Sequence, residues 1–453
     1  MRVIIVGCGK IGITILEDLV NEGHEVVAVD SDPAVITEVT NVYDVIGVCG
    51  NGVDYEPLLE AGVDKAELLV AVTGSDEFNM LSCHIARQMG VKHTIARIRK
   101  PEYNDQSLGH FRQFLNLSMS INPELLLAQE LFKILKLPSA LTVETFSRRT
   151  FEMIEVVLRE ESPLCGYSLM QLRKKFSAKF LVCVVQRGEQ VYVPDGNFIL
   201  QEGDRIGITA TPNEIHKLLR QLGVIQKHAK CVMLLGASRT AYYLAKMLLD
   251  NGTAVKVIDS NREKCEEFAA LLPQVVVIEG DGVQQELLLE EGISNVDAFV
   301  SLTGMDEQNI LVSFFAKSLG VPKVIAKVNR RELASMADNL GLECTLSPKR
   351  IVADVLSRYA RALKNSEGSK VETLYKLMDG KAEALEFRVG EEFKGCDIPL
   401  KDLALKPDIL VTGILRGRKI AILPSGDDVI RVGDKVVVLA AGKQMDDLSD
   451  ILL

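Results

Sequence analysis

The chain has 453 residues, 47% of them hydrophobic and 25% charged, with a mean hydropathy of +0.15. That length leaves room for three or four domains of roughly 100–150 residues each. A net charge of −10 and a pI near 5.4 argue against a nucleic-acid partner, and no apolar run reaches the roughly 18–20 residues that span a bilayer.

The first elements set the pattern. Val3 to Val6 is a short apolar run that predicts a buried strand, and it meets the GxGxxG turn Gly7-Cys8-Gly9-Lys10-Ile11-Gly12. Ile11, Ile15, Leu16 and Leu19 then recur at helical spacing up to a stop at Gly23. A second strand, His24 to Val29, ends on Asp30, which lies 18 residues past the third glycine. This order is that of a dinucleotide-binding βαβ unit. The first glycine allows the tight turn, the second lets backbone approach a pyrophosphate, and the third packs helix on strand. Phosphates then meet free N–H groups at a helix N-terminus.

Ser31-Asp32-Pro33 predicts a cap and first turn for a helix to about Val42. Strands are expected over 44–49, 68–73 and 92–98, with helices over 55–61 and 76–89. Gly50-Asn51-Gly52 reads as a turn where positive φ is cheap. Residues 125–137 form one more amphipathic helix, closed by Pro138. Such alternation implies a parallel sheet covered by helices on both faces. From about Ala140 to Thr211 the pattern changes to short β runs punctuated by Gly and Pro, a smaller α+β domain. A helix over 212–222 and a polar joint at Gln226-Lys227-His228 close it.

At Cys231 everything starts again. Gly236 and Asp259 lie 229 residues after Gly7 and Asp30; Thr303, Gly304 and Lys327 lie 230 after Thr73, Gly74 and Arg97. Pro424, Gly426, Gly433 and Asp434 repeat Pro194, Gly196, Gly203 and Asp204 at an offset of 230. The fold class is therefore α/β: two Rossmann-like, doubly wound parallel-sheet domains, each followed by a small α+β domain, in tandem. The expected bounds are 1–124, 140–224, 230–350 and 370–453.

The residues around the strand ends point to binding rather than chemistry. Asp30 suits ribose hydroxyls, and no Arg follows closely, which argues against a 2′-phosphate and hence NADP. Thr73-Gly74-Ser75 either meets a phosphate or ribose or caps the helix at Asp76. Arg97 either neutralises a phosphate or makes a surface ion pair, and Asn51 either lines an adenine or sits in a plain turn. The second loop, Gly236-Ala237-Ser238-Arg239-Thr240-Ala241, replaces two of the three glycines. Ser238 adds a Cβ where backbone would approach the ligand, although its hydroxyl can itself donate. The second site is thus either weaker, different or only structural. Six histidines without metal spacing, and no P-loop or GxSxG, leave no catalytic constellation. Nine scattered cysteines without a CxxC, and only Met1-Arg2 ahead of the first strand, fit a reduced cytoplasmic protein with no signal peptide.

GCGKIG, Asp30, GNGVDYEPLLEAGV, VTGSDEFN and IARIR, followed by the small domain and a full repeat, resemble the TrkA family. That family comprises cytoplasmic regulatory subunits of Trk potassium-uptake systems, built of regulator-of-K⁺-conductance domains. The resemblance implies a non-enzymatic peripheral protein at the inner face of the cell membrane. It would form a ring, expected to be a homotetramer, beneath a potassium-translocating membrane subunit. NAD(H) or ATP and ADP would bind its nucleotide domains and gate the partner. The contacts carried over are Gly7 to Gly12, Asp30, Thr73, Gly74 and Arg97, with Gly236 to Ala241, Asp259, Thr303, Gly304 and Lys327 in the second half. Lys327 keeps the charge of Arg97 without its planar fork. The alternatives are an NAD-dependent oxidoreductase and a regulator of another cation channel or antiporter.

Overall fold

The computed structural model describes residues 1–100, 103, 114–136, 142–146, 150–159, 161–222, 229–342, 344–365, 371–417, 420–442, 445 and 447–453. The expected stop at Pro138 and the joint at 226–228 lie outside them. In chain order the first repeat runs β1 (Arg2–Val6), α1 (Lys10–Asn21), β2 (Glu25–Asp30), α2 (Pro33–Val42), β3 (Ile46–Cys49), α3 (Tyr55–Glu60), β4 (Leu68–Ala71), α4 (Asp76–Gln88), β5 (His93–Arg97), β6 (Met119–Ile121) and α5 (Pro123–Lys136). Its small domain is β7 (Thr142–Phe146), β8 (Phe151–Val157), α6 (Leu169–Lys175), β9 (Leu181–Arg187), β10 (Gln190–Tyr192), β11 (Arg205–Ala210) and α7 (Pro212–Gln221).

The second repeat runs β12 (Cys231–Leu235), α8 (Arg239–Asp250), β13 (Ala254–Asp259), α9 (Arg262–Leu271), β14 (Val276–Glu279), α10 (Gln285–Glu290), β15 (Ala298–Ser301), α11 (Asp306–Ser318), β16 (Lys323–Lys327), α12 (Arg331–Asn339), β17 (Thr345–Leu346) and α13 (Pro348–Asn365). Its small domain has β18 (Val371–Leu377), β19 (Ala382–Arg388), β20 (Ile409–Arg416), β21 (Ile420–Ile422) and β22 (Lys435–Ala441).

Two six-stranded parallel sheets have the orders β3-β2-β1-β4-β5-β6 and β14-β13-β12-β15-β16-β17. Val3, Ile4 and Ile5 of β1 are fully buried, as a strand covered on both faces requires. The order reverses between β1 and β4, and the crevice beyond the C-terminal ends of those strands is where such sheets bind ligands. The two five-stranded sheets, β10-β9-β11-β8-β7 and β18-β19-β22-β20-β21, are antiparallel.

The repeats group by type. One compact unit holds Met1–Gln129 with Val232–Ala360, and the other holds Glu130–Cys231 with Arg361–Leu453. In the first unit Asn122 Nδ2 donates to the Tyr243 hydroxyl at 3.2 Å, and Tyr359 meets His93 Nδ1 at 3.4 Å. In the second unit one buried cluster joins Phe146, Phe151 and Cys183 to Leu377, Met378 and Leu439. The Met378 N–H donates to Glu155 Oε1 at 3.1 Å, and Phe146 meets Tyr375 edge-on with centroids 4.8 Å apart.

Three sequence expectations change. Gly50 and Gly52 do not adopt positive φ. Close packing selects them instead: a Cβ at Gly50 would lie 2.6 Å from the Pro57 ring, and one at Gly52 would overlap Val6. The last helix of the first repeat starts at Pro123 rather than Leu125, with Pro in its first turn. The short edge strands β6 and β17, helix α6 and the long α13 carried too little periodic signal to be expected.

Candidate functional site

The first glycine loop is held open by its own packing. Gly7 has φ +96°, and a Cβ there would lie 2.9 Å from the Thr73 backbone nitrogen. Only glycine satisfies both constraints. A Cβ on Gly12 would overlap the Gly7 carbonyl, which is how α1 packs tightly on the loop. Nothing lies within 4 Å of a Cβ built on Gly9. Gly9 is also the N-cap of α1, with no side-chain cap and no acidic residue in the first turn. The helix therefore presents uncapped N–H groups to the crevice, the arrangement that receives anions.

Asp30 closes the loop from β2. Its Oδ2 accepts the Cys8 N–H at 2.7 Å and its Oδ1 accepts the Asp32 N–H at 3.0 Å. Each oxygen keeps a lone pair for a ligand hydroxyl. The Cys8 side chain turns into the core, where burial pushes its thiol up to about 12.

At the end of β4, Thr73 is braced by a residue that the sequence reading did not single out. Asn79 Oδ1 accepts both the Thr73 N–H at 2.8 Å and its hydroxyl at 2.7 Å, while Asn79 Nδ2 donates to the Arg97 carbonyl at 3.0 Å. Ser75, rather than Thr73, caps α4 by accepting the Phe78 N–H. Buried Asp76 accepts the Arg99 and Lys100 N–H groups and pins the chain after β5. Asn309 and Asp306 repeat both devices. The recurrence of Asn79 and Asp76 at an offset of 230 was the signal available in the sequence.

The second loop keeps the scaffold and gains a side-chain cap. Gly236 has φ +102°, and Asp259 accepts the Ala237 and Asn261 N–H groups at 2.7 and 2.8 Å. Ser238 now caps α8, its hydroxyl accepting the Ala241 N–H at 3.3 Å. Its own N–H donates to the Gly236 carbonyl at 2.9 Å, a bond absent from the first loop, and Ala241 fits fully buried. One of the N–H groups that would greet an anion is satisfied internally.

A cleft of about 1040 Å³ opens at the first loop, and both repeats line it. From the first repeat come Gly7, Gly9, Lys10, Ile11, Asp30, Asn51, Thr73, Gly74 and Arg97. From the second come Ser238, Arg239, Thr240 and Lys327. Cys8, Gly12, Gly236, Ala237, Asp259 and Thr303 do not line it. Glu124, Asn329 and Lys349, which the sequence reading missed, do.

Five cations, Lys10, Arg97, Arg239, Lys327 and Lys349, thus face two carboxylates, Asp30 and Glu124. Among the described residues none of the five has a carboxylate at ion-pair distance. Among the described residues the Arg97 side chain donates only to the Thr73 carbonyl, and its buried Nε has no partner. Lys327 Nζ donates to the Leu302 carbonyl at 3.2 Å. Burial lowers the pKa of both Arg97 and Lys327, and Glu124 offsets part of it. Uncompensated positive charge in a half-buried site is unfavourable until an anion enters.

Family models agree with this architecture. The TrkA-N domain model matches residues 3–109 and 232–348, and the TrkA-C domain model matches 153–223 and 384–453. The chain belongs to the TrkA family. It is 31% identical over 451 residues to "Trk system potassium uptake protein TrkA homolog" of Archaeoglobus fulgidus, covering 100% of both chains. It is 29% identical over 450 residues to "Trk system potassium uptake protein TrkA" of Vibrio alginolyticus, covering 98% of this chain and 96% of that one. Among solved structures, "GsuK channel bound to NAD" matches with TM-score 0.64 at 15% identity, covering 97% of this chain and 76% of that chain. "Crystal structure of the GsuK bound to ADP" matches with TM-score 0.51 at 14% identity, over 79% and 68%. The structural matches establish the fold. TrkA-family membership makes this a regulatory chain of potassium transport rather than an enzyme. Among the described residues no helix is long and apolar enough to cross a membrane.

Proposed function

We propose that this TrkA-family chain binds a nucleotide in the cleft at Gly7–Gly12 and couples its occupancy to a potassium-translocating membrane subunit of the Trk type. The chain works at the inner face of the membrane, self-associated in a ring that we expect to be a homotetramer. The observation that carries this reading is the cleft itself: an uncapped helix N-terminus ringed by five cations drawn from both repeats. The NAD and ADP bound to GsuK are ligands of the chemistry such a cleft fits.

In this reading the loop N–H groups and Lys10 take the phosphates, and Asp30 accepts a ribose hydroxyl. Asn51 faces the base, Thr73 and Gly74 border the phosphates, and Arg97 and Lys327 neutralise their charge. Arg239 and Lys327 come from the other repeat, so a ligand binds best when the two repeats are drawn together. That difference in affinity between arrangements is what shifts a population, and mostly-closed to mostly-open needs on the order of 2–5 kcal/mol, shared among sites. The test is calorimetric titration of wild-type and Gly9→Asp protein with NADH, ADP and ATP, followed by potassium uptake with the membrane subunit. Binding by wild-type that Gly9→Asp abolishes supports the site. Uptake indifferent to every nucleotide sinks the coupling.

A further inference from the structure

The two repeats differ at one position that faces the cleft. After the short edge strands β6 and β17, the equivalent helices α5 and α13 begin Pro123-Glu124 and Pro348-Lys349. Both acidic Glu124 and basic Lys349 line the cleft at the first loop. Lys349 comes from the second repeat and lies close enough to Lys10 of the first for the two charges to repel. Burial chiefly, and then Lys10, lowers its pKa. Asp306 offsets part of this, but both of its oxygens already hold Asn329 and the Arg330 N–H. The Lys349 side chain makes no hydrogen bond or ion pair among the described residues.

A dinucleotide's two phosphates bring about two negative charges, and the open amides of α1 with Lys10 answer that demand. The cleft then still holds Arg97, Arg239, Lys327 and Lys349 against Asp30 and Glu124. A nucleoside di- or triphosphate brings roughly three to four charges, concentrated at one end, and balances the excess.

We propose that Lys349 is a specificity-determining residue of the first loop: it binds the terminal phosphate of a nucleoside di- or triphosphate and so favours these ligands over dinucleotides. This rests on the nucleotide reading of the cleft. It also gives a reason for the two repeats to have diverged at this position, since a second glutamate there would cancel the charge that a terminal phosphate needs.

The test is equilibrium titration of the full-length chain and its Lys349→Ala, Lys349→Glu and Lys349→Arg variants with ATP, ADP and NADH at one salt concentration. Unfolding curves establish that each variant is folded. Lys349→Ala is expected to weaken ATP about tenfold while NADH changes less than about twofold. Lys349→Glu weakens ATP further, and Lys349→Arg restores most of the affinity. Equal losses for ATP and NADH, or no loss for either, overturn the assignment to Lys349 and leave the cleft intact as a nucleotide site. Wild-type protein that binds none of the three overturns the reading of the cleft on which the assignment rests.

Discussion

The duplicated chain joins its repeats twice, by opposite physical means. In the unit of parallel sheets the repeats meet around a cleft, where Lys10, Arg97, Arg239, Lys327 and Lys349 have no carboxylate at ion-pair distance among the described residues. In the unit of antiparallel sheets they meet through Phe146, Phe151, Cys183, Leu377, Met378 and Leu439, all at most 2% exposed. Apolar burial is non-directional and leaves nothing for a ligand to change. The energy of a charged cleft, by contrast, depends on what occupies it. One joint is closed by apolar burial and the other is lined by charge.

The widest gap between the joints is chemical access. Cys49 is exposed at the end of β3, next to the cleft, whereas Cys183 lies in the apolar joint with its thiol pushed up to about 12 by burial. Maleimide at neutral pH should modify Cys49 faster than Cys183 by about a hundredfold or more, read by peptide mass spectrometry. Comparable rates would mean that the apolar joint opens freely. The next largest effect is Phe151→Ala, which removes a fully buried ring and should cost about 3–5 kcal/mol in thermal or urea unfolding. A cost below about 1 kcal/mol would break the contrast.

Lys327→Met should behave in the opposite sense. Without ligand the variant should gain about 1 kcal/mol at neutral pH, because a half-buried ammonium with no carboxylate partner is removed, and nucleotide should raise its unfolding temperature less than that of wild type. The pH dependence follows from the direction of the shift. The folded pKa of Lys327 lies below its ordinary value of 10.5, so the unfolded chain binds the proton more tightly. The penalty is full at neutral pH and fades as pH rises through the folded pKa toward 10.5. The stability difference between wild type and variant should therefore shrink in that window, and urea titrations at pH 7 and about 9.5 measure it. The smallest effect is Tyr243→Phe, which removes one of the two acceptors of Asn122 Nδ2 at the polar joint and leaves the Arg99 carbonyl at 3.4 Å. It should cost about 1 kcal/mol and leave the apolar joint untouched.

The sequence carried the architecture because glycine and periodic signals survive duplication. Gly7, Gly12 and Asp30 could be assigned from spacing alone, and the offsets that repeat them located the second sheet. What escaped was contact made at a distance in sequence. Asn79 looks like any helical asparagine until its amide is found spanning the ends of β4 and β5. Lys349 reads as an ordinary lysine after a proline, and only the pairing of like domains brings it to the first loop. The duplication suggested that the two nucleotide domains could pair, but not which contacts join them, because the faces that decide it are not marked in local periodicity. Gly50 and Gly52 show the reverse error, where the residue was noticed and its cause mistaken.

Asp30 and Asp259 hold the same two backbone N–H groups in their loops, at nearly the same distances, although only one loop opens on the cleft without a side-chain cap. The acid thus holds the loop together whether or not a ligand is bound. A duplicated copy released from binding would drop its second glycine early and its aspartate late. Across descendants of such a duplication, an acid at the end of the second strand records ancestry, and the residue in the place of Gly9 records employment.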